Sequence, residues 1–308
     1  MIKTLLRPFN GSLEDAQGIL AIDRATFDDC PYPPERIVRL LTAGEQRAWV
    51  AEVDGSVAGF VAAFPTRTLQ AESWEVDVLA VHPQYKRQGI GTALIKQAVR
   101  GMALRHSSGQ ARAVVMVKNH ASRRAFEAAG FQALPDTYHL MRCDVAGAAA
   151  RPPVPGMETI RPLASEADAR GILQLAPALP RTAPEVTRLT DAETNTLLVA
   201  ERNGSVSAFV ELVKVQTLLY AGVWLETLVT PTLSAACPEL RRRVKGSRPD
   251  EAAPLIAAAV ERARAEGLDE IGCLVASWDW RLRQAFVGQG FASTGEYLVM
   301  IQALRVEP

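Results

Sequence analysis

Val76-Asp77-Val78-Leu79-Ala80-Val81-His82-Pro83-Gln84-Tyr85-Lys86-Arg87-Gln88-Gly89-Ile90-Gly91-Thr92-Ala93-Leu94 decides the fold. It reads as a β-strand that stops at His82-Pro83, because proline cannot continue a central ladder. A basic turn follows, then two glycines two apart, then a helix. Glycine lets a backbone approach a ligand closely, and the first amides of a helix have no internal acceptor, so such a junction attracts anions. Lys86 and Arg87 add full positive charge beside those dipoles. The construction asks for a phosphate or pyrophosphate. The triphosphate loop G-x-x-x-x-G-K-[ST] is absent, and the dinucleotide fingerprint would need a third glycine where Leu94 stands.

Outward from this stretch, hairpins and βα units alternate. Leu13 to Thr26 has helical apolar spacing, and Ala48–Val53 and Ser56–Phe64 flank the tight-turn pair Asp54-Gly55. Trp74–Val81 alternates as a strand, Gly91 to about Arg105 suits a helix, Ala113–Val117 a buried strand, Ser122–Ala129 a short helix and Tyr138–Cys143 a last strand. Along Trp74–Val81 the period of two places Glu75 and Asp77 on one face with Leu79 and Val81.

Charge is uneven. From Val78 to Phe126 there are nine Lys/Arg and no Asp or Glu, in a chain whose totals are 34 against 34. Lys86, Arg87, Arg123 and Arg124 read as phosphate partners, and Arg105 and Arg112 as residues that solvate helix faces. A net charge of zero argues against a nucleic-acid or anionic-membrane partner, not against a polyanionic ligand held locally.

The 308 residues suit two units of about 150. Residues 144–157, DVAGAAARPPVPGM, have linker composition, and the flanking segments match in order. Arg7, Asp15 and Glu52 correspond to Arg161, Asp168 and Glu201; Phe126, Gly130, Phe131 and Tyr138 correspond to Phe286, Gly290, Phe291 and Tyr297. A tandem duplication is expected, with units at 1–145 and 158–308 joined by a linker over 146–157. The four cysteines, Cys30, Cys143, Cys237 and Cys273, form no C-x-x-C pair, so neither a metal site nor a disulfide frame is expected. No apolar run approaches a membrane span, and the N-terminus lacks a signal-peptide pattern, which implies a cytoplasmic protein.

The opening stretch resembles the coenzyme A pyrophosphate loop of the GNAT family of N-acetyltransferases, V-x-P-x-Y-[RK]-x-x-G-x-G, matched by Val81, Pro83, Tyr85, Lys86, Gly89 and Gly91. The family's downstream N-x-x-A-x-x-x-Y-x-x-x-G-F pattern is recognisable as Asn119, Ser122, Phe126, Gly130 and Phe131. The resemblance covers roughly residues 1–143. It implies a mixed α/β (α+β) chain of two tandem GNAT domains, each a mostly antiparallel sheet flanked by helices. It also implies acetyl-CoA as co-substrate without a metal, and transfer of an acetyl group to the primary amine of a small molecule. The implied cofactor contacts are Leu79, Ala80, Val81, Lys86, Arg87, Gln88, Gly89, Ile90, Gly91, Thr92, Asn119, Ser122, Arg123 and Phe126. Glu75 and Asp77 both match positions where family members carry a base, and the two stay unranked. The tyrosine that protonates the departing thiolate is replaced by Phe126, with Tyr138 as a candidate substitute. A non-catalytic acyl-CoA-binding regulator or interaction module is the alternative that Phe126 suggests.

In the second half, pairing Leu255 with Leu94 puts Asp250 and Ala252 where Gly89 and Gly91 stood, and Asp279 replaces Asn119. Carboxylates there oppose a pyrophosphate. This half reads as a degenerate repeat that packs, shapes the acceptor site or pairs with a second copy as a homodimer. Glu226 is placed to reach toward the active cleft.

Overall fold

The computed structural model describes residues 4–27, 30–105, 109–147, 159–191, 193–231 and 249–305. Twelve strands form one sheet, in the order β1-β2-β3-β4-β5-β12-β6-β11-β10-β9-β8-β7. In the first half these are β1 (Thr4–Pro8), β2 (Arg47–Val53), β3 (Ser56–Arg67), β4 (Glu72–Val81), β5 (Gln110–Met116) and β6 (Gln132–Asp144). Helices α1 (Leu13–Thr26), α2 (Pro34–Thr42), α3 (Ile90–Ala103) and α4 (His120–Ala128) flank them. The second half repeats the plan with β7 (Thr159–Pro162), α5 (Glu166–Leu175), α6 (Ala183–Asp191), β8 (Asn195–Arg202), β9 (Ser205–Gln216) and β10 (Ala221–Val229). It closes with α7 (Pro249–Ala265), β11 (Glu270–Ala276), α8 (Trp280–Gly288) and β12 (Ala292–Ala303).

The matched residues of the two halves occupy matched places. Arg7 holds Asp15 through two hydrogen bonds of 2.7 Å and Glu52 at 3.1 Å, tying β1, α1 and β2 together. Arg161 does the same with Asp168, at 2.8 and 2.9 Å, and with Glu201. Asp54-Gly55 and Asn203-Gly204 both turn with positive φ at each residue, the backbone that a two-residue hairpin needs. Phe126 and Phe131 meet edge-to-face at 5.0 Å, as Phe286 and Phe291 do at 4.9 Å.

The last strands are exchanged. The C-terminal part of β6, Tyr138–Asp144, pairs with β11 of the second half, and Tyr297–Ala303 of β12 pairs with β5 of the first. β6 and β12 lie antiparallel to each other, with Tyr138 opposite Tyr297. The pairing relates the halves by an internal two-fold and leaves no sheet edge between them. Hairpin tips are exchanged as well. Leu69, between β3 and β4, is fully buried in the core around α5 and α6, and Leu218, between β9 and β10, is buried in the core around α1 and α2.

The boundary expected at 146–157 falls mostly outside the described residues. Val145, just past β6, is buried in the second half's core.

Candidate active site

β4 and β5 run parallel but pair only at Ser73–Gln110, Trp74–Ala111 and Glu75–Arg112. β4 continues to Val81 and β5 to Met116, so the sheet splays open beyond Glu75 and the β5 side of β4 loses its ladder partners. At the end of the splayed stretch, Pro83–Tyr85 make one 3-10 turn, and Gly89 caps α3 with φ +79 and no side-chain cap. That backbone suits glycine, and open space lies where a Cβ would stand. The first helical acceptor pair is Ala93 N–H to Gly89 C=O at 3.0 Å, so the preceding amides of α3 face outward from the ladder. Lys86, Arg87, Gln88 and Gly89 are exposed, whereas Ile90 is buried and anchors the helix. A Cβ on Gly91 would sit 3.8 Å from Leu79 and Val81, so the helix start stands over the splayed strand.

A β-bulge changes the face pattern. The β3–β4 register shifts between Ala62 and Ala63, opposite Val78 and Val76, leaving Asp77 as the extra residue. Trp74 and Val76 pack in the core under α3 with Leu79 and Val81, while Val78 and Ala80 face the α1–α2 core. The expected common face of Glu75, Asp77, Leu79 and Val81 is therefore corrected. The carboxylates look into a cavity on one side, and Leu79 and Val81 pack on the other.

That cavity, of about 210 Å³, is lined by both halves. Arg112 crosses it. Its Nε donates to both Glu75 oxygens at 2.9 and 2.8 Å, and its Nη1 and Nη2 donate to Glu226 at 2.7 and 3.1 Å. The expectation that Arg112 solvates a helix face is corrected: β5 begins three residues earlier than Ala113, and Arg112 points from it into the interior. Thr66 also donates to Glu75, at 3.0 Å. Burial pushes the Glu75 carboxyl above its ordinary value although Arg112 pulls the other way. Asp77 has no guanidinium partner; burial lifts its pKa to about 6 against the pull of the Thr217 hydroxyl. Glu226 sits at the matching bulge of β10, between Leu225 and Thr227, and reaches the cavity as expected.

The other expected residues fall in several places. Asn119 caps α4 by accepting from Ser122 N–H at 3.1 Å, and Asp279 caps α8 from Leu282 N–H at 3.0 Å, so their exchange leaves the cap intact. Arg123 lies on α4, 3.6 Å from Glu127. Phe126 is a core residue against Phe131 and carries no proton. Tyr138 shares a face of β6 with Leu140 and Arg142, but it is Tyr297, its partner across the two-fold, that lines the cavity. In the second half, Asp250 lies in the first turn of α7, and Ala252 and Leu255 are buried. Asp28 and Asp29, acids that could hold an amine, and Arg241, Arg242, Arg243 and Lys245, which could meet anions, lie outside the described residues.

A splayed parallel pair ending in a glycine-capped helix start matches known proteins over the same residues. The profile of the Acetyltransferase (GNAT) family matches residues 16–131. Over these residues the chain is similar to the GNAT family. An N-alpha-acetyltransferase of Sulfurisphaera tokodaii is 29% identical over 134 residues, covering 40% of this chain and 78% of that protein. Over the whole chain the fold is that of tandem GNAT proteins. A GCN5-related N-acetyltransferase from Sphaerobacter thermophilus superposes with TM-score 0.63 at 16% identity, covering 98% of this chain and 96% of its own. A tandem GNAT protein from the clavulanic acid biosynthesis pathway gives 0.60 at 15% identity, covering 99% of each. Among the described residues, no helix is long and apolar enough to cross a membrane.

Proposed function

We propose that this protein transfers the acetyl group of acetyl-CoA to the primary amine of a small molecule, with the chemistry in the first half. The observation that carries the reading is one strand, β4, with the basic loop at its end and a carboxylate on its bulge. The start of α3, after the exposed Lys86–Gly89 loop, stands over Leu79 and Val81, and the Asp77 carboxylate stands at the splay on its bulge. Anion-binding amides lie at one end and a carboxylate that titrates near neutrality at the other.

The loop residues hold the phosphates, Lys86 and Arg87 by charge and the α3 amides by dipole. Unpaired backbone amides of β4 near Leu79 and Val81 meet the oxygen that gains charge as the amine adds. Of the two carboxylates, Asp77 is the base. Glu75 is engaged by Arg112 and Thr66, whereas Asp77 is ionised above about pH 6 and faces the cavity. It takes the proton that the amine loses as the C–N bond forms; the tetrahedral adduct then collapses, the C–S bond breaks, and coenzyme A leaves as thiolate. With a thiol pKa of roughly 8.5, departure tolerates Phe126 in place of an acid.

A thiol-release assay with acetyl-CoA and an amine panel tests the reading. The expected result is turnover in the wild type that collapses in Asp77→Asn while calorimetric binding of acetyl-CoA persists. Tight acetyl-CoA binding without turnover of any amine would favour a non-catalytic acyl-CoA-binding protein instead.

A further inference from the structure

The cavity lies between the halves, and several of the positions that line it are matched across the internal two-fold. Thr66 and Val215 line it from β3 and β9, and Asp77 and Glu226 from the two bulges. The two ends nevertheless differ in chemistry. In the first half, the last paired step before the splay is Glu75 beside Arg112. At the matching step of the second half stand Trp224 and Gly272.

The charged end favours a cation. Arg112 commits its donors to two carboxylates, which leaves one negative charge in excess before Asp77 is counted. Arg142, the other guanidinium in the lining, belongs to the opposite end, where it lies over the Tyr220 ring at 5.4 Å and is paired with Glu270 across β6 and β11. Among the described residues that line this end, none offers an uncommitted positive charge to an anionic acceptor.

The other end is an aromatic wall, with the Arg142–Glu270 pair beside Tyr220 already satisfied within itself. Gly272 makes room for the indole: a Cβ there would lie 3.0 Å from the Trp224 ring. Tyr220 meets Trp224 edge-to-face at 6.0 Å, and its hydroxyl donates to the Val223 carbonyl, so its ring is fixed. Leu219 and Val213 complete this wall. A polar sugar or a second ammonium would lose hydration against these rings, and the one ion pair beside them, Arg142–Glu270, is already closed on itself.

Resting on the acetyltransferase reading, we infer that the acceptor is a primary amine on an apolar body of aromatic size. Its nitrogen lies at the Asp77 end of this shared cavity and its body against Trp224. The degenerate half thus supplies the specificity surface for chemistry done by the other half.

The test uses the full chain with acetyl-CoA and five acceptors: phenethylamine, tryptamine, spermidine, glucosamine and a peptide with a free amino terminus. The two arylalkylamines are expected to give kcat/KM at least about tenfold above the rest. Trp224→Ala should raise KM for phenethylamine about tenfold with kcat within about twofold, the loss expected for an apolar contact of this size. Trp224→Phe should restore most of it, and stands in if the alanine variant does not fold. Preference for spermidine, glucosamine or the peptide, or a KM indifferent to Trp224, overturns the inference. So does acetyl-CoA binding with no turnover of either arylalkylamine. A parallel calorimetric titration keeps the two levels apart, because absence of acetyl-CoA binding would instead sink the acetyltransferase reading itself.

Discussion

The two halves agree where they build the sheet and differ where they would do chemistry. Arg7–Asp15–Glu52 and Arg161–Asp168–Glu201 make the same clamp between first strand, first helix and second strand. Both halves bulge at the same step of the fourth strand, and both end their last full helix on a Phe–Phe edge contact. Against this, Gly89 with φ +79 opens α3, while α7 begins with Pro249, Asp250 and Glu251. Glu75 beside Arg112 becomes Trp224 beside Gly272. Scaffold residues are needed twice, because each half must fold. A phosphate cradle and a base are needed once, if both clefts open on one cavity.

Breaking the equivalence of the bulges should give the largest effect. Asp77→Asn is expected to lower kcat/KM by about 10²- to 10⁴-fold, as for loss of a general base, and to abolish the rise of rate as pH increases through about 6. Glu226→Gln, at the matching position, should cost less than about tenfold and keep that rise. Equal losses in steady-state assays would mean that both bulges serve one chemical role.

The strand exchange makes a second contrast. Residues 1–147 alone lack β12, leaving β5 with an open edge and β6 without its host. Expressed alone, this segment is expected to dimerise by trading β6 between copies, read by light scattering; a stable monomer would show that the halves fold independently.

Stability against pH separates working acids from clamps. Asp77 is lifted to about 6 and the buried Glu211 to about 7, in both cases chiefly by burial. Glu211 accepts from Leu69 N–H at 2.8 Å and from the Thr227 hydroxyl at 2.9 Å, binding the exchanged hairpin. With folded values above the unfolded ones, their contribution is complete below about pH 4 and is lost as pH rises through 6 to 7. The urea midpoint should therefore fall between pH 5 and 8. Asp77→Asn should be the more stable protein at pH 8 by up to about 3 kcal/mol, an upper bound because Asp77 is only half-buried. Asp168 moves the other way: its Arg161 partner holds it well below the usual carboxylate range, so its contribution is lost only under strong acid.

The smallest effect compares the clamps. Arg7→Ala and Arg161→Ala should each cost about 1 to 3 kcal/mol by urea titration, within error of one another. A large inequality would mean that the halves carry unequal loads.

Local features were legible in the sequence, and relations across the two-fold were not. The strand–turn–helix at Val76–Leu94 carries its own punctuation in Pro83, Gly89 and Gly91, and the Arg7 and Arg161 clamps surfaced as matched triplets. The Asp77 bulge escaped because a period of two has no place for an extra residue, and Leu79 and Val81 changed face with it. Arg112 was misjudged because its second partner, Glu226, lies 114 positions away. The exchange of β6 and β12 is a choice between two nearly equivalent partners, and it also puts Tyr297 rather than Tyr138 on the cavity. No local pattern records such choices.

One half alone is expected to keep an acyl-CoA cradle. Calorimetric titration of the full chain with acetyl-CoA tests it directly. One site per chain is expected, abolished by Gly89→Asp, which forces a side chain onto a φ of +79 and sets a carboxylate against the phosphates. Two sites per chain, no binding, or one site untouched by Gly89→Asp would contradict it.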